Sequence, residues 1–103
     1  MKSYSHISCE ALHEQRDEWT VVDIRDPQAF SLSRVDNSIA LNNENLSDFL
    51  AQTEANQKVA VMCYHGHSSQ QAAEYLASQG LKNVASVDGG FEFWRLHFPV
   101  DGE

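Results

Sequence analysis

Lys58-Val59-Ala60-Val61-Met62-Cys63-Tyr64-His65-Gly66-His67-Ser68-Ser69 decides how this chain reads. After the lysine comes a short, continuously apolar run, as in a strand covered on both faces in a parallel sheet. A cysteine ends the run, a glycine follows three residues later, and two serines open a stretch with helical spacing. Ser68 or Ser69 is placed to cap a helix that ends near Gln79, with Gly80 closing it in a left-handed conformation. Along this helix Ala72, Ala73, Tyr75 and Leu76 are expected to face inward, and Gln70, Gln71, Glu74 and Ser78 to face water.

The same pattern recurs on either side. Thr20-Val21-Val22-Asp23-Ile24 and Val84-Ala85-Ser86-Val87 are further buried-strand candidates. Ser38-Ile39-Ala40-Leu41 adds a short strand and His6-Ile7 an edge strand. Between them, Ser8 caps a helix to about Gln15, and Asp26-Pro27 pairs an N-cap with a proline at the first helical position. Asn43 or Asn45 caps a helix to about Ala55, with Leu46, Phe49 and Leu50 on one face. A last helix follows Gly89-Gly90 and stops before Pro99. Alternating strands and helices imply an α/β architecture with right-handed crossovers and a parallel sheet. Ligands in such sheets bind beyond the carboxyl ends of the strands. Three strands end in suggestive sequence there: at Asp23-Ile24-Arg25-Asp26, at the Cys63 loop and at Asp88-Gly89-Gly90.

At 103 residues and 11.6 kDa the chain has room for one core, so residues 1–103 read as a single domain. Hydrophobic residues are 42% and charged residues 21% of the chain, a balance that argues against disorder. The net charge of -8 argues against nucleic-acid binding. No apolar run is long enough to span a bilayer, and no apolar stretch follows Lys2 as in a secretory signal. Two distant cysteines, Cys9 and Cys63, fit a reducing cytoplasm better than a disulfide-stapled secreted domain.

Cys63, between a buried strand and a helix N-terminus, sits where the helix dipole and free backbone N–H groups favour a thiolate. Gly66 lets the backbone curl so that successive N–H groups point into one concavity, and Ser68 and Ser69 add hydroxyl donors. The chemistry implied is a nucleophilic cysteine inside an anion-binding loop. A buried structural thiol is the alternative for Cys63 and the reading adopted for Cys9, on the first helix. Cys63, His65 and His67 are suitable zinc-ligand types, but supply three ligands at most and no second cluster accompanies them. A thioredoxin-like role would need a C-x-x-C pair, which is absent.

Taken together these segments resemble the rhodanese family of sulfurtransferases, and within it the single-domain GlpE type. Val22-Asp23-Ile24-Arg25-Asp26-Pro27-Gln28 resembles the family's first signature. Val61-Met62-Cys63-Tyr64-His65-Gly66 with Ser68-Ser69 resembles the active-site loop, and Val87-Asp88-Gly89-Gly90-Phe91-Glu92-Phe93-Trp94 the closing signature. The likeness spans roughly residues 5 to 99. It implies a three-layer α/β sandwich with a parallel, five-stranded central sheet. It also implies thiosulfate sulfurtransferase chemistry: the Cys63 thiolate takes the outer sulfur of thiosulfate, releases sulfite, and passes the sulfur from a Cys63 persulfide to a thiophilic acceptor. The acceptor is cyanide in an assay and a thiol such as thioredoxin or glutathione in the cell. No metal or organic cofactor is implied, and no feature selects an oligomeric state. The loop segment Tyr64, His65, Gly66, His67 and Ser68 would hold the anion through its backbone N–H groups.

The sequence departs from the family in three places. Tyr64 stands where many rhodaneses carry arginine, as in the GlpE type; His67 replaces that type's usual asparagine; Ser33-Arg34-Val35 replaces a Gly-His-Ile segment. Cys-dependent phosphatases and arsenate reductases with a similar loop need an arginine six positions after the cysteine to clamp the oxyanion. That position is Ser69 here, and the loop is one residue shorter. A non-catalytic rhodanese-like binding module is the other rival, opposed by the intact nucleophile.

Of the remaining residues, Arg25 is assigned to a structural ion pair with Asp23 or Asp26, since a buried guanidinium needs such a partner. Asp23, Arg25 and Ser69 are therefore supporting residues. His65 and His67 either lend positive charge toward the substrate or are solvated loop residues. Asp88-Gly89-Gly90 closes a turn beside the pocket, Phe91 and Trp94 are core or pocket wall, and Trp19 packs at an edge.

Overall fold

Val21 and Val22 are neighbours in sequence, yet their side chains enter different cores, because successive strand residues point to opposite faces. The computed structural model, which describes residues 3–102, shows the same alternation in the other central strands. Ala60 and Met62 join Val21 in one core, and Val59 and Val61 join Val22 in the other. Strands buried on both sides need a helical layer on each. The helix α1 (Cys9–Glu14) and the last helix, α5 (Gly90–His97), cover one face. The other is covered by α3 (Leu46–Gln52) and α4 (Ser68–Ser78).

The sheet comprises β1 (Ser5–Ser8), β2 (Thr20–Asp23), β4 (Ile39–Ala40), β5 (Lys58–Met62) and β6 (Asn83–Asp88), all parallel, in the order β1-β6-β5-β2-β4. This is the three-layer sandwich with a five-stranded parallel sheet that the sequence implied, with the His6-Ile7 strand at one edge. The Cys63 strand lies at the centre, with β2 and β6 as its neighbours, so the carboxyl ends of β2, β5 and β6 emerge side by side. That places the three suggestive sequences at one end of the sheet. A short antiparallel pair, β3 (Ser33–Arg34) with β7 (Asp101–Gly102), was not legible in the sequence.

Two helices start at the caps expected of them. The Ser8 side chain accepts the Ala11 N–H at 3.1 Å. Asp26 accepts that of Ala29 at 3.0 Å to begin α2 (Pro27–Leu32), with proline in the first turn. Asn45 precedes α3 but does not cap it with its side chain; it accepts the Asn42 N–H and donates to the Ala40 carbonyl instead. That helix ends at Gln52, short of the expected Ala55. At α4 the cap position is His67, not Ser68 or Ser69, and no side chain caps it. The two serines begin the helix itself. Tyr75, expected inward, is 48% exposed, while Ala73 and Leu76 are buried as expected. Gly80 ends α4 at φ +106°.

Candidate active site

The turn after β5 curls back on its own cysteine. Gly66 takes φ +91°, a left-handed conformation that L side chains rarely adopt. Its N–H then points at Cys63 Sγ at 3.1 Å, and the Ser69 N–H, in the first turn of α4, reaches the same sulfur at 3.3 Å. Cys63 is only 2% exposed. Burial by itself raises its pKa. The Ser69 hydroxyl and the N–H groups of Ser69, Gly66 and His65 outweigh burial, and the thiol lies below its ordinary value of 9.0. The donors on the sulfur thus come from His65, Gly66 and Ser69. Of the expected segment, Tyr64, His65, His67 and Ser68 are exposed and Gly66 is buried.

Ser69 is fully buried, and its hydroxyl lies 2.7 Å from that of Ser86, also fully buried. Ser86 sits at an alternating position of β6 that faces α4, so a single polar residue in an apolar strand anchors the first turn of the helix. The sequence showed Ser86 only as a strand residue; its place between Ala85 and Val87, on the opposite face from both, was the available signal.

The carbonyl side of the loop is held by α5. The Phe91 N–H donates to the Cys63 carbonyl at 2.8 Å and the Glu92 N–H to that of Tyr64 at 3.0 Å. Orienting these carbonyls toward α5 leaves the neighbouring N–H groups free to face the sulfur. The approach is close enough that a Cβ on Gly90 would lie 2.5 Å from the Tyr64 oxygen. Asp88-Gly89-Gly90 therefore packs against the loop as a backbone support, and Phe91 and Trp94 are buried in the core beneath it.

Arg25 and Asp23 are brought together under the site. The guanidinium meets the carboxylate at 2.8 to 3.0 Å through Nη2 and Nε, donates to the Ser33 carbonyl at 2.7 Å, and lies 3.9 Å from the Phe91 ring centre. Its side chain is 3% exposed. Arg25 is engaged in the scaffold through Nε and Nη2, and Asp23, rather than Asp26, is its partner. Ser33, in the segment that departs from the family pattern, supplies one of its acceptors. Asp26 instead accepts a hydrogen bond from the Tyr64 hydroxyl. That bond, with the Ala29 N–H, holds Asp26 below the usual carboxylate range and raises Tyr64. Sequence reading missed this tie between the loop and α2.

His65 and His67 are exposed at the loop. Glu92 is kept low by Arg95 and, to a smaller extent, by the charge of His65. No three His, Cys, Asp or Glu side chains among the described residues gather as a metal site would require. Nor is there an oxyanion-clamping arginine at the sixth loop position, where Ser69 turns inward to Ser86.

A model of the rhodanese-like domain matches residues 8–97. The chain belongs to the rhodanese-like domain family. Among curated members of the family it is 47% identical over 105 residues to the thiosulfate sulfurtransferase GlpE of Vibrio cholerae, covering 98% of each chain. It is 43% identical to the protein of that name from Pseudomonas syringae, covering 98% of this chain and 96% of the relative. Among solved rhodanese-like structures, a rhodanese-related protein from Thermoplasma volcanium superposes with a TM-score of 0.84 at 33% identity. That match covers 97% of this chain and all of the other.

Beside the loop opens a groove of about 720 Å³, at the carboxyl end of the sheet. Its lining shares Asp26 and Ser68 with the surroundings of the loop but does not include Cys63. The sulfur sits in its own narrow cradle and the groove lies alongside.

Proposed function

We infer that this protein is a thiosulfate sulfurtransferase working through a Cys63 persulfide. The carrying observation is the cradle of N–H donors on Sγ, at 3.1 Å from Gly66 and 3.3 Å from Ser69, in a chain 43–47% identical to proteins of that activity. The Cys63 thiolate attacks the outer sulfur of thiosulfate; the S–S bond of thiosulfate breaks and its electron pair leaves with sulfite. The persulfide then gives its outer sulfur to a thiolate or to cyanide, and the electron pair of the broken bond returns to Cys63. The loop N–H groups stabilise the thiolate before the first step and the persulfide after it. Asp23 and Arg25 hold the loop's foundation, and Ser69 positions the donor N–H. His65 and His67 stand where they can meet the dianion on an otherwise acidic protein. No cofactor is needed for either step, since both are displacements at sulfur. Thioredoxin and glutathione are candidate acceptors, and the protein works as one domain in the cytoplasm. No helix among the described residues is long and apolar enough to cross a membrane.

The test is intact mass after incubation with thiosulfate. A gain of about 32 Da, removed by cyanide and absent from Cys63→Ser, is the expected result. A folded protein with a free Cys63 thiol and no mass gain would reject thiosulfate as the donor.

A further inference from the structure

The groove beside the loop runs along α4. Ser68 lies at its loop end, Ala72 one turn on, and Tyr75 and Leu76 two turns on, a length of about 12 Å at 1.5 Å per residue. Ile24, Leu41 and Leu46 provide further apolar lining. Tyr75 is a large aromatic side chain left half open to solvent on this face, where helical spacing had pointed it inward. The groove's volume falls within the range of small-molecule sites, about 300–1,000 Å³.

Charge narrows the occupant. The groove's lining contains two side chains that are charged at neutral pH, Arg25 and Asp26. Arg25 is spent on Asp23 and the Ser33 carbonyl. Asp26 is an exposed carboxylate kept ionised by Tyr64 and the Ala29 N–H. Neither His65 nor His67 lines the groove. An anionic thiol would meet mostly uncharged walls and the Asp26 carboxylate, with the groove's one cation already paired to Asp23, while an uncharged chain would bury its methylenes. The groove's loop end, at Ser68, adjoins the Ser69 whose N–H meets Cys63 Sγ. We propose that this groove is the acceptor site, and that it selects a low-molecular-weight thiol with an uncharged, apolar chain over an anionic thiol such as glutathione.

This rests on the sulfurtransferase reading above and adds the class of the second substrate. The acceptor thiolate attacks the outer sulfur of the Cys63 persulfide, the persulfide S–S bond breaks with its electron pair going to Cys63, and the acceptor leaves as its own persulfide. Straight-chain alkanethiols from ethanethiol to hexanethiol, glutathione and cyanide would be compared as acceptors at saturating thiosulfate. The expected result is a kcat/KM rising about threefold per added methylene, with glutathione below ethanethiol. In Ala72→Phe, which fills the groove one turn from the loop, the ratio of kcat/KM for hexanethiol to that for cyanide should fall at least about tenfold. A flat chain-length series, glutathione as the best acceptor, or an unchanged ratio in Ala72→Phe would overturn the groove assignment while cyanide still yields thiocyanate. Absence of thiocyanate from the unsubstituted protein would overturn the parent reading and this one with it.

Discussion

Cys9 and Cys63 are equally hidden, 1% and 2% exposed, and opposite in chemistry. Around Cys63 Sγ the protein places N–H donors, and the thiol pKa falls. The Cys9 thiol faces carbonyls: its S–H approaches the Asp88 oxygen at 3.5 Å and the Gly90 oxygen at 3.7 Å. Burial, with Glu10 and Asp88 adding like charge, pushes it up to about 11. Burial alone therefore does not make a cysteine inert. What separates them is whether burial is offset: the Cys63 thiolate gains N–H donors, whereas Cys9 has burial reinforced by two nearby carboxylates. The same Asp88-Gly89-Gly90 turn serves both, presenting carbonyls to Cys9 and, through the N–H groups just after it, tying down the loop of Cys63.

The sharpest break of this contrast is substitution of each thiol. Cys63→Ser should abolish the thiosulfate-dependent mass gain and lower sulfur transfer at least about 10³-fold, whereas Cys9→Ser should stay within about threefold of the parent in a cyanide assay. Loss of transfer in a folded Cys9→Ser protein would mean that the buried thiol takes part in the chemistry. Next in size is the turn shared by both. Gly90 has φ +62°, and an added Cβ would clash with the Tyr64 and Cys63 carbonyls. Gly90→Ala should cost about 2–4 kcal/mol in chemical denaturation and slow Cys63 alkylation, because the loop N–H groups lose their aim.

Titration separates the two sulfurs more gently. Iodoacetamide should label Cys63 at pH values where Cys9 of the folded protein is untouched. The stability effects run in opposite directions. Cys63, depressed in the folded state, adds stability above its unfolded pKa that is lost as pH falls through its lowered folded value. Cys9, raised from 9.0 to about 11, adds stability below pH 9 that is lost as pH climbs from 9 toward 11. The fall in urea stability over that alkaline interval should be shallower in Cys9→Ser; an identical slope would show that Cys9 ionises as freely in the fold as out of it. The smallest effect is at the loop's outer tie. Tyr64→Phe removes one exposed hydrogen bond, so the urea midpoint should barely move. The Asp26 carboxyl should titrate higher by NMR, and the Cys63 alkylation profile should move less than in Gly90→Ala.

Much of this was legible before any coordinates. The apolar runs ending at Asp23, Met62 and Val87 marked the central strands, because a strand buried on both faces cannot carry unpaired polar residues. Cys63 next to Gly66 and a helix start marked the thiol that the loop N–H groups surround. Tyr75 and the α4 cap were misread for one reason: helical spacing gives a face but not the partner that covers it. A groove was left open where a packed core was expected, and the first turn was secured by Ser69 to Ser86 instead of by a cap.

The amino-acid sequence by itself determined the succession of strands and helices along the chain, the caps at Ser8 and Asp26, and the tight curl at Gly66 after Cys63. Each of these rests on interactions within a few residues, whose energetics the local pattern records. Only the tertiary structure decided the strand order β1-β6-β5-β2-β4, the choice of Asp23 over Asp26 as the partner of Arg25, and the Tyr64–Asp26 tie. It alone decided too that α5 would hold the carbonyls of the Cys63 loop. Apart from the Arg25 choice, these are contacts between segments 17 to 80 residues apart, and all depend on how the elements assemble. A periodic pattern states which side of an element is apolar; only the assembled layers settle what that side meets.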